Sequence, residues 1–238
     1  MVEHITKAIP GLVEKYYTES KNTCDMMVPV VVKKGLDNLN LTMFSEKMRN
    51  DILNAAAEEY VKKGKTDEAI RALVMTNNRR RLVEIGENFQ NLNMFSNAID
   101  CFQLADDKEK LLRLGEHCLK EGQMTDAVKA FKLVGDSEKL IKVGDECVKR
   151  EKYASAIEVF NILSNKVKLV ELGDKLLKSD QLELTEKAYV SAMDPTRLNR
   201  LGDVYLKKEE LQSAYKVYKL ASNDTMKQFL KDNFGLVE

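Results

Sequence analysis

The stretch "LLRLGEHCLKEGQMTDAVKAFKLV" (residues 111–134) decides the fold, because its pattern returns along most of the chain. Gly115 stands in the middle of a helical pattern, where glycine costs about 1 kcal/mol relative to alanine. A glycine nevertheless recurs at every 29th residue, and one step before the first of them stands Ala57. The glycines are Gly86, Gly115, Gly144, Gly173 and Gly202. Self-similarity at a constant period predicts a stack of repeated structural units.

The first half of each unit predicts an amphipathic helix, which we call helix A. Leucine stands four residues before each small residue, from Leu53 to Leu198, and apolar residues stand one before it and three after it. Residues three and four apart lie on one face of a helix. Helix A therefore has one apolar face, with the small residue at its centre.

The second half of each unit predicts a shorter helix B. Twelve residues after the small residue stands alanine, replaced by threonine in one unit. The residues sixteen after it are Leu73, Phe102, Phe131, Phe160, Tyr189 and Tyr218. We expect the glycine of helix A to face the alanine of helix B, Ala127 in the case of Gly115, so that the two backbones approach closely.

The predicted helix boundaries carry residues of the expected chemistry. Asparagine or aspartate, the preferred N-cap types, stands just before each following helix A. These residues are Asn78, Asp107, Asp136, Asn165, Asp194 and Asn223. Pro195 directly follows one of them, in the first helical turn that tolerates proline. Gly64 and Gly122 suit the C-terminal ends of A helices.

The composition excludes several classes of function. Lys and Arg number 38, and Asp and Glu also number 38, so the chain lacks the positive charge of a general nucleic-acid binder. Four cysteines without CxxC spacing and two histidines disfavour a zinc site and indicate reduced thiols. The longest apolar run, "MMVPVVV", is too short for a bilayer. We expect a cytoplasmic protein with no cofactor, no metal, no nucleic acid and no membrane insertion.

The order of leucine, glycine, alanine and aromatic residues resembles the tetratricopeptide repeat, over roughly residues 50–222. The usual period of that family is 34, so each unit here lacks about five residues. The resemblance implies an all-α fold, a right-handed α-solenoid of antiparallel helix pairs. It predicts an N-terminal helical cap over residues 1–45, six helical hairpins over 46–222 and a C-terminal capping helix over 223–238. In the N-terminal cap, "IPGLVEKYYTES" (9–20) and "CDMMVPVVVKKGLDNL" (24–39) predict one or two helices, and Pro29 needs a first turn or a kink.

The resemblance also implies that helix A lines the concave face of the array and contacts the partner there. The acids one residue after the glycine are Glu58, Glu87, Glu116, Asp145, Asp174 and Asp203. The lysines five residues after it include Lys120, Lys149, Lys178 and Lys207. The apolar candidates, three residues before and four residues after it, are Leu112, Leu119, Ile141, Val148, Val170 and Leu177.

Two interpretations of these columns stay open at the level of sequence. In the first, they form a groove that accepts a helix or an extended peptide with apolar anchors. In the second, each acid pairs with the lysine four residues on in its own helix, and a tighter coil buries the apolar columns.

The resulting hypothesis is a non-enzymatic protein-interaction scaffold that binds a peptide or helix of a partner protein on the helix A face. The alternative is an architectural subunit, or a fragment of one, from a coat-like or transport assembly. Neither a phosphate-binding glycine loop nor a nucleophile motif is found in the sequence, so we expect no catalytic residues. The slots that bind acidic chaperone tails in the resembling family hold apolar residues, Asn54 and Asn199, or acids here, which disfavours a carboxylate clamp.

Overall fold

The computed structural model describes residues 23–235, and over that range the chain is all-α. It divides into two compact units, Met1–Leu111 and Leu112–Glu238. Each unit is built from consecutive helices that pack on their neighbours in the chain. The connections between helices are short, which makes sequential helices antiparallel neighbours. The predicted all-α fold of solenoid type, built from helix pairs, is confirmed.

The N-terminal unit begins, in the described part, with helix α1 (residues 23–34) and a 3-10 turn, Leu36–Asn38. It continues with α2 (Glu46–Lys62), α3 (Thr66–Met75), α4 (Arg79–Asn91), α5 (Phe95–Leu104) and the start of α6 (Lys108–Glu121). The predicted helix at 9–20 lies outside the described residues. The sequence predicts Pro29 in a first turn or at a kink. In the structure it lies inside α1, beyond the first described turn. Val31 of α1 is buried against Ile52 and Tyr60 of α2.

The C-terminal unit contains the rest of α6 and eight further helices. They are α7 (Met124–Val134), α8 (Ser137–Lys149), α9 (Tyr153–Ile162), α10 (Lys166–Lys178), α11 (Leu182–Ala192), α12 (Pro195–Lys207), α13 (Leu211–Leu220) and α14 (Asp224–Phe234). The even-numbered helices from α2 to α12 are the predicted A helices, and the odd-numbered ones from α3 to α13 are the shorter B helices. In α14, Lys231 occupies the glycine position.

The helix ends repeat as regularly as the helices do. All six predicted N-caps are confirmed, since each side-chain oxygen accepts a hydrogen bond from the backbone N–H three residues later. One residue in the turn after each helix pair adopts a left-handed conformation, even where it is not glycine, as at Ser164 and Met193. In the turns from helix A to helix B, Gly64 and Gly122 also adopt the left-handed conformation, and so do the non-glycine residues Glu151 and Asp180. Left-handed residues at helix C-termini satisfy the last carbonyl groups.

The recurring glycine makes room chiefly for an aromatic ring, and the alanine that also lies beside Gly115 is Ala130 instead of the expected Ala127. A Cβ added to Gly115 would lie 2.7 Å from Cε1 of Phe131, sixteen residues later. A Cβ added to any of the other four recurring glycines would lie within 2.6 Å of the ring at the same offset. The exception fits the rule: Ala57 is paired at that offset with Leu73, and both are buried in one core cluster. Packing against a ring therefore requires glycine, whereas packing against leucine tolerates alanine.

Candidate functional site

Five of the six predicted acids form salt bridges with a cation 23 residues later, on the next A helix. In the N-terminal unit, Glu58 pairs with Arg81 at 2.8 Å and Glu87 with Lys110 at 2.5 Å. The pairs of the C-terminal unit are Glu116 with Lys139 at 2.5 Å, Asp145 with Lys168 at 2.9 Å, and Asp174 with Arg197. The predicted alternative, pairing with the lysine four residues on in the same helix, is wrong for these acids. Their charge is instead compensated between repeats.

Each of these cations performs two functions at the start of its helix. The backbone N–H of Lys139 donates to the N-cap carboxylate of Asp136 at 2.9 Å, while its Nζ donates to Oε1 of Glu116 on the preceding A helix. The hydrogen bond from Lys139 lowers the pKa of Glu116, and the same bond raises the pKa of Lys139. Lys120, four residues after Glu116, adds only a longer-range attraction that also lowers this pKa. The bridges thus link α6 to α8, α8 to α10 and α10 to α12.

The sixth acid, Asp203, has a tyrosine in place of a cation. The residue 23 positions later is Met226, which carries no charge. The hydroxyl of Tyr218 donates to Oδ1 of Asp203 at 2.6 Å, and Tyr189 donates to Asp174 in the same way at 2.7 Å. Burial and the neighbouring carboxylate raise the pKa of both tyrosines. The two repeats with tyrosine in the ring position therefore give their acids a hydrogen-bond donor within the hairpin, and Asp174 also has Arg197 from the next repeat.

The predicted lysines are exposed and largely uncompensated. Lys149 lies 3.6 Å from Glu146 with 75% of its side chain exposed, which is a weak contact. The other three, Lys120, Lys178 and Lys207, are exposed and form no salt bridge with any residue in the range 23–235. These lysines and the exposed Asp203 therefore carry the charge on this face that has no strong ion-pair partner.

The predicted apolar residues are half-buried. This holds for all six candidates, Leu112, Leu119, Ile141, Val148, Val170 and Leu177. Leu177 packs against the core cluster of the C-terminal unit, as does Leu206 at the same repeat position. Positions three before and one, four and five after the glycine are spaced by three or four residues, so they share one face of helix A. We call this face in α6, α8, α10 and α12 of the C-terminal unit the helix A surface.

The cations that pair with the acids were not predicted as partners, although the sequence places a basic residue at the same position of five successive repeats. Five residues before the recurring glycines stand Arg81, Lys110, Lys139, Lys168 and Arg197. All five positions are basic, and the column ends at Ile52 on one side and Met226 on the other. A column of one charge 23 residues from a column of the opposite charge indicates pairing between neighbouring repeats.

The four thiols are buried or half-buried, and burial raises the pKa of each of them, which makes them weak nucleophiles. All four cysteines are free, and burial raises the pKa of Cys101 to about 11 and that of Cys118 to about 12. Such thiols hold almost no thiolate at neutral pH, the form that acts as nucleophile. Across residues 23–235, His, Cys, Asp and Glu side chains form no group of three that could hold a metal ion. Within the same range, none of the helices combines the length and the apolar character needed to cross a bilayer.

No protein-family model matches the chain, and no curated protein is significantly similar to it. The likeness to the tetratricopeptide repeat consequently rests on the repeat pattern quoted above.

Proposed function

We propose that the chain is a non-enzymatic, tetratricopeptide-like scaffold that binds a peptide or helix of a partner protein on the helix A surface. The observation that carries this proposal is the separation of paired from unpaired charge. Three of the four acids of this surface, Glu116, Asp145 and Asp174, are compensated by the next repeat, while the exposed lysines beside the half-buried apolar residues are not.

The charge balance determines which partner fits. A bound segment must offer apolar side chains to residues such as Leu119 and Val148, and negative charge to lysines such as Lys149 and Lys178. Complementary charge of this kind steers encounter and fixes register more than it adds affinity. The expected partner is therefore an acidic, amphipathic segment, either helical or extended.

The acids keep a role in this proposal, as hydrogen-bond acceptors rather than as free charges. Glu116 receives Lys139 on Oε1, and a carboxylate has about four lone-pair sites in total. The remaining sites can accept N–H donors from a partner backbone. Because Asp203 lacks a cationic partner and is exposed, it is the most negative point of the column.

A cytoplasmic location belongs to the same proposal. Its support is the four free thiols, since a reducing compartment keeps cysteines in that state. The raised pKa values of the buried thiols agree with a scaffold that performs no covalent chemistry.

Charge reversal on the helix A surface tests the proposal. Lys149→Glu with Lys178→Glu should remove partners recovered with the wild-type chain in a quantitative affinity capture. Lys132→Glu with Lys187→Glu, on exposed positions of α7 and α11, changes the net charge equally and is the matched control. Partners that survive the first pair of substitutions, or are lost equally with both pairs, contradict binding at this surface.

One observation favours the alternative, an architectural subunit that makes contacts through its end. Phe229 and Phe234 of α14 are 48% and 50% exposed and stack edge to face at 6.3 Å. An end-to-end assembly should give larger species in light scattering at rising concentration, and Phe229→Ser with Phe234→Ser should abolish them. A monomer at all concentrations contradicts self-assembly through this end.

A further inference from the structure

A cleft in the N-terminal unit has the features of a small-molecule site, and none of its lining residues belongs to the helix A surface. It has a volume of about 570 Å³, within the usual range of ligand pockets. Its apolar wall comes from α1, the connection that follows it, α2 and the end of α3. These apolar residues are Val31, Leu36, Leu39, Leu41, Leu53 and Met75.

The polar groups of the cleft come from the first turns of α2 and, at Asn40 and Thr42, from the connection that precedes it. Arg49 and Asn50 line it and are half-buried, while Glu46 stands at the start of the helix and is exposed. The side chain of Arg49 forms neither a salt bridge nor a hydrogen bond with any residue in the described part of the chain. By contrast, Arg71 and Arg81 of the same unit each reach a carboxylate.

An unpaired, half-buried guanidinium in an apolar cleft is a specific chemical signal. The group has five N–H donors and no acceptor, and it binds a planar carboxylate with two parallel hydrogen bonds. Its desolvation is unfavourable unless an anion compensates it. The amide of Asn50, one residue on, supplies a further donor at the same wall.

We propose that this cleft binds a small amphipathic carboxylate, with its apolar body between the leucines and its carboxylate on Arg49. A single guanidinium neutralises one negative charge, and Glu46 repels a second. A monoanionic carboxylate therefore fits better than a phosphate dianion. This site is independent of the proposed scaffold function and uses none of its residues.

Titration with octanoate, followed through the methyl NMR signals of the 238-residue chain, tests the proposal. Octanamide, which has the same carbon chain and no charge, is the control ligand. We expect octanoate to shift the methyl signals of Leu39, Leu41 and Leu53, with an affinity in the millimolar range usual for ligands of this size. Octanamide should bind about tenfold more weakly, because it cannot form the charge-assisted pair.

Two variants separate the guanidinium from general charge. Arg49→Gln should weaken octanoate about tenfold and leave octanamide unchanged, which removes the preference for the acid. Arg80→Gln, at a side chain 92% exposed on α4, removes the same charge elsewhere and should change neither affinity. Equal affinity for both probes in the wild-type chain, or no shift of cleft methyl signals up to about 10 mM, overturns the proposal.

Discussion

The pairing of glycine with an aromatic ring gives a prediction that can be worked through in numbers. In Gly144→Ala, the added Cβ would lie 2.4 Å from Cε1 and 2.8 Å from Cζ of Phe160. Carbon atoms in ordinary contact stand about 3.5–4.0 Å apart, so the ring must move by about 1 Å. Phe160 is only 1% exposed, which leaves it little room to do so.

Two opposing terms set the size of the effect. Alanine gains about 1 kcal/mol over glycine in a helix interior. Overpacking a well-filled core costs about 1–3 kcal/mol. We therefore expect Gly144→Ala to destabilise the fold by about 0–2 kcal/mol, against the direction of helix propensity. Gly144→Leu should destabilise it more, because three further carbons must be placed at the same ring.

A double-mutant cycle isolates the contact. Phe160→Leu alone leaves part of the ring volume empty, which costs about 1–2 kcal/mol. In the double variant, Gly144→Ala with Phe160→Leu, the alanine Cβ occupies part of that volume. This pair already exists in the chain as Ala57 with Leu73. We expect the double variant to be more stable than the sum of the single changes by about 1–2 kcal/mol.

Urea unfolding followed by far-UV circular dichroism measures all four chains of the cycle. The reverse exchange in the first repeat is the control: Leu73→Phe should destabilise the fold, and Ala57→Gly should restore part of the loss. Additive free energies of unfolding in both cycles would refute the explanation that glycine makes room for the ring. Gly144→Ala that is more stable than the wild-type chain by the full helix propensity would refute it as well.

Three further predictions concern the bridges, the turns and the thiols. The pKa of Glu116 lies below its ordinary value of 4.5 in the folded chain, so its salt bridge contributes above that value and is lost as the pH falls through the lowered pKa. The stability difference between the wild-type chain and Glu116→Gln should accordingly shrink in thermal melts at acid pH, and a constant difference contradicts the bridge. Met193 has φ 54° and is 76% exposed, so Met193→Gly should raise the free energy of unfolding by about 0.5–1 kcal/mol, whereas Gly135→Ala, at φ 80°, should lower it by about 1 kcal/mol. In the native chain, Cys24 should react with Ellman's reagent first and the buried Cys101, Cys118 and Cys147 only on unfolding, so immediate reaction of all four thiols would contradict their burial.

Local and periodic features were predictable from the sequence. The 29-residue step located every A and B helix, since amphipathic periodicity depends on residues a few positions apart. The N-caps at positions such as Asn78 and Asp136 were equally clear, because a cap requires one side chain and the helix that directly follows it.

That the candidate residues share one face of helix A was predictable from the sequence, whereas their charge balance was not. Lys149 and Lys178 are exposed, as a contact surface requires, and Val148 is half-buried. The partner of Glu116 could not be read from its own helix, because Lys139 reaches it from the next repeat. Whether an acid pairs within a helix or between helices depends on how two helices are placed, and a single helical pattern does not contain that distance.

The sequence by itself determined that this chain is a helical repeat, where each A helix begins, and which small residue lies at its centre. The tertiary structure alone decided that Gly115 packs against Phe131 and Ala130 rather than against Ala127, and that a cation from the next repeat compensates each paired acid. It alone brought Arg49 beside leucines from separate segments to form a cleft. The physical reason is the range of the interactions. Helix periodicity and capping act within a few residues, whereas ring packing, salt bridges between repeats and cleft walls join residues that only the folded chain brings together.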